Sequence, residues 1–260
     1  MIRSFVFILA GLVAACGGRS GGNPSAASAP VPSSETASAA EVNALWQKAE
    51  WAVRHGKWGD ATKLLERTLL ELQPGDSRIP QAHYWLGEAY LGRGSHLEAV
   101  REFRTASDVT PNHPLAPEAL LRVGDVYAEL WRRPELDPTY GQTALASYQE
   151  LINRYPGASP AKRAQARIDE LSERFAYKAY KAAMFYFRLK AYDSAILYLK
   201  DLAATYPKTA IVPEALVKLV EAYRKLGYRE DVQETCDYIR RFHPKAPKAN
   251  EVCPTESAGS

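Results

Sequence analysis

The chain has 260 residues, 46% hydrophobic and 24% charged, with a formal charge of +3. That mixture is ordinary for a folded soluble chain. The charge is too small for a nucleic-acid binder, and no basic stripe interleaved with aromatics appears. The histidines, at 55, 83, 96, 113 and 243, are scattered. There is no phosphate loop, nucleophile elbow or H-E-x-x-H. The cysteines, Cys16, Cys236 and Cys253, make neither a C-x-x-C pair nor a cysteine/histidine ligand set. No catalytic residue, metal or cofactor is expected: the chain reads as a protein that binds, not an enzyme.

The N-terminus begins Met1-Ile2-Arg3, and the apolar run Ser4 to Ala15 is too short to span a bilayer as a stable anchor. Residues 1–15 read as a signal peptide. Val13-Ala14-Ala15-Cys16 then looks like a bacterial lipobox, which implies cleavage before Cys16 and lipidation of it. Gly17 follows where an inner-membrane retention signal would place Asp, so the outer membrane is favoured. More than one acyl chain holds a protein stably at a membrane. Residues 16–40 are small, polar and proline-rich, and bury too little apolar surface to fold. They read as a tether with a reach of about 27 Å for a flexible coil.

From residue 41 an internal repeat begins. It is clearest in PQAHYWLGEAYLGRGSHLEAVREFRTASDVTP, residues 80–111. Leu86-Gly87, Tyr90, Gly94, Ala99, Phe103, Ala106 and Pro111 take the places of the tetratricopeptide (TPR) pattern. Gly87 and Ala99 are small so that two antiparallel helices can meet. Leu86, Tyr90 and Phe103 fill around the contact, Gly94 makes the turn, and Pro111 stops the second helix. Repeat 1 spans about 42–74, with Ala49, Gly56, Trp58, Ala61 and Leu65 in register. Repeat 3 has Val123-Gly124, Tyr127, Ala144 and Tyr148, and carries an eight-residue insertion. Within that insertion Asp137-Pro138 reads as an N-cap followed by proline at the first helical position. Repeat 4 has Ala183, Tyr186, Ala195 and Leu199; repeat 5, a looser match, has Tyr223, Gly227, Val232 and Cys236.

Prolines 74, 111, 156, 207 and 244 close the second helices. The long interval from 156 to 207 is rich in Ala, Arg, Glu and Leu, which predicts one helix over 160–189 joining repeats 3 and 4. The expected fold is an all-α solenoid of five helix pairs, with repeats 1–3 over 41–158, repeats 4–5 over 159–245 and a disordered tail over 246–260. Cys236 stands at an apolar core position. A buried free thiol is the first reading; a disulfide to Cys253 is the other, since an exported chain meets oxidising conditions.

The lipobox, tether, five repeats, Asp-Pro insertion and joining helix, in that order, resemble the BamD family of outer-membrane assembly lipoproteins. Tyr148–Pro156 (YQELINRYP), Ala203–Pro207 (AATYP) and Lys178–Tyr192 (KAYKAAMFYFRLKAY) carry the likeness locally. The resemblance implies a periplasmic scaffold on the outer membrane. It would dock on the POTRA domains of the BamA barrel protein through its C-terminal repeats. Unfolded outer-membrane proteins or accessory Bam lipoproteins would engage the N-terminal repeats. The alternatives are a pilotin lipoprotein, which would be expected to stack regular repeats, and a Tol-Pal-associated factor, which would carry an N-terminal coiled coil.

First helices line the inner face of a TPR stack. Repeat positions put Trp46, Tyr84 and Leu121 in an apolar row there, beside an acidic row of Glu50, Glu88 and Asp125. Such a groove suits an extended or helical peptide with aromatic anchors, although Trp46 and Tyr84 could equally pack against the neighbouring repeat. In the C-terminal half Arg224, Tyr228 and Arg229 are the expected partner contacts.

Overall fold

A computed structural model describes residues 38–253. Among them run eleven helices: α1 (Ala39–Arg54), α2 (Trp58–Glu71), α3 (Ile79–Gly92), α4 (His96–Asp108), α5 (Ala116–Leu130), α6 (Thr139–Arg154), α7 (Ser159–Arg188), α8 (Tyr192–Thr205), α9 (Val212–Leu226), α10 (Arg229–Phe242) and α11 (Ala249–Val252). Each helix packs on the next as far as α10, giving the five antiparallel pairs of the expected solenoid. Cys16 and the leader lie outside the described residues.

The stack starts at a complete cap. Ser38 Oγ accepts from the Glu41 amide (3.3 Å), and the Ser38 amide donates to the Glu41 carboxylate (2.7 Å). Within each of the first four pairs a small residue on the first helix faces a larger one on the second. Gly87 faces Phe103, and Gly124 faces Tyr148: a Cβ added at either glycine would stand 2.7 Å or 2.3 Å from the ring. Ala49 with Leu65 and Ala183 with Leu199 occupy the same positions in repeats 1 and 4, all fully buried. The glycines thus accompany the rings, because the helix separation leaves a fixed space to fill.

The turn inside a pair is a left-handed C-cap. Gly94 has φ +78°, its amide donates to Leu91 O, and the next amide, Ser95, reaches back to Tyr90 O. Repeats 1 and 5 repeat this at Gly56 and Gly227. Repeat 4 makes the same turn with Lys190 at φ +61°, a conformation that costs an L side chain about 1 kcal/mol or more.

Helix α7 begins and ends one residue earlier than the sequence predicts. Its first half supplies Ala164, Leu171 and Phe175 to a core shared with α5 and α6; its second half supplies Ala176, Tyr180 and Ala183 to the core of α8–α10. Tyr206 packs on both. The expected three-repeat and two-repeat parts therefore meet inside one continuous helix, and the described residues cluster as one compact unit.

The repeat-3 insertion is anchored by a residue the repeat pattern does not mark. Trp131, 2% exposed, closes α5 and stacks on Phe175 with ring centroids 4.4 Å apart. Gly141 of α6 lies against its other edge, and Arg174 sits over its face at 4.5 Å. Lys178 donates to the carbonyls of Glu135 (3.1 Å) and Leu136 (2.8 Å), tying the loop to α7. Asp137 caps α6 by accepting from the amide (3.0 Å) and hydroxyl (2.7 Å) of Thr139, while Pro138 rather than Asp137 is the N-cap residue, one position later than expected.

Two expectations at the C-terminus give way. Cys236 is bonded to Cys253, so the free-thiol reading is replaced by the disulfide. Residues 246–253 are placed against the last repeat and include α11, so the expected disorder from 246 does not hold as far as Cys253. Ala246, Ala249 and Cys253 are apolar enough to join the core of α9 and α10, and Val252 is buried there.

Candidate functional site

The sequence places six residues on the first-helix face of repeats 1–3. Trp46 on α1 is half-buried, 4.7 Å from Trp85 of α3, with the Arg78 guanidinium over its ring at 5.8 Å. Tyr84 on α3 meets Phe103 edge-on at 5.4 Å. Burial, with the charges of Glu88 and Glu118 behind it, pushes its phenol up to about 12. Leu121 is 3% exposed and belongs to the core around Trp131 and Tyr148. It lines no groove, because its face of α5 is covered by α6 and α7. The apolar row is therefore reduced to two half-buried rings held in different clusters.

The acidic row is not bare. Glu50 pairs with Arg54 at 2.6 Å. Glu88 takes both arms of Arg122, Nε at 2.7 Å and Nη2 at 3.1 Å, a planar fork that fixes both side chains. Asp125 accepts the Tyr148 hydroxyl at 2.8 Å and lies 3.3 Å from Arg167 and 3.8 Å from Arg122. Arg167 goes on to Glu170 at 3.2 Å. The result is a lane of alternating charge across α3, α5 and α7, bordering a cleft of about 300 Å³. Burial first, then Asp125, pushes the Tyr148 phenol far above its ordinary range, so it stays a donor at any physiological pH. Glu88, Asp125 and Glu170 share the two guanidiniums of Arg122 and Arg167, so the lane keeps one net negative charge and offers a ligand carboxylates already fixed in direction.

Three members of this lane, Arg122, Arg167 and Glu170, are not marked by the repeat pattern. The signal that finds Arg122 is its distance of 34 residues from Glu88, which puts opposite charges on neighbouring first helices. Tyr180 and Glu214, also 34 apart, join α7 to α9 in the same way at 2.6 Å. His83 on α3 meets Glu102 of α4 at 2.8 Å. Burial alone would raise the Glu102 carboxyl; hydrogen bonds from His83 and Arg101 outweigh it and hold the group below its usual range.

The C-terminal residues separate into two roles. Tyr228 is 44% exposed and Arg229 is exposed, and both border an open cleft of about 460 Å³ with Val232 and Gln233. Tyr228 leans toward Asp193 of α8, 3.4 Å away. Arg224, on the same cleft, spends Nη1 on the Val252 carbonyl at 3.1 Å and so braces α11. A further exposed stripe runs along α7 through Tyr177 and Phe185 to the cap residue Leu189, eight and then four residues apart along one helical edge. Among the described residues no group of histidine, cysteine and carboxylate side chains could hold a metal, and no helix is long and apolar enough to cross a membrane.

Comparison with known proteins adds the family. Residues 38–238 match the YfiO family, described as outer membrane lipoprotein. The outer membrane protein assembly factor BamD of Vibrio cholerae is 27% identical over 207 residues, covering 74% of this chain and 83% of that protein. The BamD of Neisseria meningitidis serogroup A is 26% identical over 222 residues, covering 79% and 80%. That of Caulobacter vibrioides is 24% identical over 192 residues, covering 74% and 63%. Among solved structures, the TPR domain of P58(IPK) aligns over 81% of this chain and 53% of that one, with 15% identity and a TM-score of 0.44. With its helical stack matched from the Ser38 cap into α10, the chain belongs to the YfiO outer membrane lipoprotein family, and the relatives named here are BamD proteins.

Proposed function

We propose that this chain is a scaffold of outer-membrane protein assembly, held at the periplasmic face of the outer membrane by a lipid on Cys16. The observation that carries the reading is family membership across the helical stack, α1 through most of α10. The lipobox-like Val13–Cys16 supports the anchor. In this reading the exposed cleft at Tyr228 and Arg229 meets the POTRA domains of BamA, with Arg224 shaping that cleft by holding α11 behind it. Accessory Bam lipoproteins engage the N-terminal repeats. The first-helix face of repeats 1–3 receives segments of unfolded outer-membrane proteins: Trp46 and Tyr84 offer apolar contact, and the Glu50, Glu88 and Asp125 lane offers oriented polar groups. A rigid stack with paired charges suits such work, since docking loses little conformational entropy.

Photo-crosslinking in the native envelope tests this. A crosslinking residue at Tyr228 or Arg229 should capture BamA as the main product, and one at Glu50 or Glu88 should capture nascent barrel proteins. A secretin or Tol protein as the dominant product at both positions overturns the assignment. Cys16→Ser should release the protein from the outer-membrane fraction; full retention would remove the lipid anchor from the proposal.

A further inference from the structure

Every passage from one repeat to the next uses the same pair of backbone bonds. At the end of repeat 4, Thr209 N donates to Tyr206 O and Val212 N to Thr209 O. The pattern also opens repeat 2 (Asp76 to Gln73, Ile79 to Asp76) and repeat 3 (His113 to Thr110, Ala116 to His113). It occurs once more where no further repeat is expected: Ala246 N donates to His243 O, and Ala249 N to Ala246 O. The helix that follows, α11, packs on α9, as α9 packs on α7 and α7 on α5. Residues 246–253 are therefore the opening turn of a sixth first helix that breaks off after four residues.

A helix of that length has no stability of its own. Its entry is also unfavourable: Lys248 stands at φ +62°, where the matching Ile211 has an ordinary φ of −80°. Three attachments oppose this. Val252 is buried against the last core, Arg224 holds the Val252 carbonyl, and Cys253 is bonded to the fully buried Cys236 of α10. Only the last is covalent.

We infer that residues 246–253 form an end cap of the solenoid latched by the Cys236–Cys253 disulfide, so that the redox state of that pair decides whether the apolar end of α9 and α10 is covered. To open the latch, a dithiol attacks the half-exposed Cys253 sulfur and Cys236 leaves as thiolate. A second thiolate of the reductant then attacks the mixed disulfide. Two electrons and two protons pass to the protein pair, and the reductant leaves as its own disulfide. The opened cap loses its anchor and its strained entry unwinds.

The test uses the full chain, oxidised and after dithiothreitol followed by alkylation, with intact mass confirming each state. Hydrogen exchange at Ala249, Glu251 and Cys253 should accelerate at least tenfold on reduction, and trypsin should cut after Lys245 and Lys248 at least tenfold faster. Amides of α3 to α6 should not change. Cys236→Ser/Cys253→Ser should behave like the reduced chain; if that variant does not fold, the reduced and alkylated wild type still decides. Equal exchange and cleavage in the two states would mean that packing alone holds the cap. Loss of protection throughout α7 to α10 would mean that the bond supports the whole end rather than a latch. Free thiols in the untreated protein would mean that no latch exists. Each of these three results overturns the inference.

Discussion

Replacing Gly124 by Ala should destabilise the protein, although alanine is the better helix former. The new Cβ would stand 2.3 Å from Tyr148 Cε1 and 2.5 Å from Cδ1, more than 1 Å inside ordinary contact. The ring has nowhere to go: Tyr148 is fully buried and its hydroxyl is fixed on Asp125 at 2.8 Å. Overpacking of this kind costs about 1–3 kcal/mol. Breaking a buried hydrogen bond to a carboxylate adds about 1.5–3 kcal/mol. The gain in helix propensity returns about 1 kcal/mol, which leaves a loss of about 1.5–5 kcal/mol. For a folded unit of this size that lowers Tm by roughly 3–20 °C. Gly59→Ala is the matched control. Nothing lies within 4 Å of a Cβ there, so the same chemical change should raise stability by about 0.5 kcal/mol. Thermal melts followed by circular dichroism at 222 nm, with exchange at α5 and α6 as a local probe, read both. If Gly124→Ala melts at or above the wild type, the close approach of α5 and α6 is not what fixes repeat 3.

Three further outcomes are expected. Lys190→Gly should stabilise by about 0.5–1 kcal/mol, since φ +61° there strains any L side chain; a lower melting point would show that the lysine side chain itself supports the turn. Asp125→Asn should cost about 1 kcal/mol by weakening its bonds to Tyr148 and Arg167, and an unchanged denaturant midpoint would refute that. The Glu102 carboxyl is held below its ordinary value of 4.5 in the folded state, so its stabilisation is complete above that value and is lost as pH falls through the depressed one. Glu102→Gln should therefore flatten the loss of stability on acidification below about pH 5, and parallel curves for variant and wild type would contradict the assigned pair.

How far the fold was legible follows from what each residue does. Gly87, Ala99, Phe103 and Pro111 are local instructions: two helices can approach only where side chains are small, and a helix ends where an amide is missing. The same types recur in each pair, so the helix pairs could be read directly, and the excess length between Pro156 and Pro207 gave the joining helix and its extent. Trp131 could not, because it lies in the insertion, where the period fails, and its role depends on Phe175 and Gly141 arriving from two other helices. Asp137 was legible as a cap, but not to the residue, since Asp and the following Pro can share the first turn in two registers.

The binding face was less legible, for a physical reason that also bears on how such a face can work. A repeat pattern gives the direction in which a side chain leaves its helix, and it put Glu50, Glu88 and Asp125 on one face. It does not give what a neighbouring helix sends across to meet them. Arg122 and Arg167 come from adjacent first helices and turn an acidic row into a paired one, while Leu121 is overtaken by the packing of α6 and α7. Paired charges hold their geometry before a ligand arrives, so a peptide binding there would exchange water for oriented donors and acceptors without first having to desolvate a row of bare carboxylates. Affinity in such a lane depends on shape and register more than on the ligand's net charge. It follows that salt should weaken peptide binding on this face only slightly, whereas Arg122→Ala, which frees Glu88 and loosens Asp125, should make binding both weaker and markedly salt-dependent. Titrations of a barrel-strand peptide at about 50 and 500 mM salt would separate the cases, and a steep salt dependence already present in the wild type would show that the carboxylates act as bare charges after all.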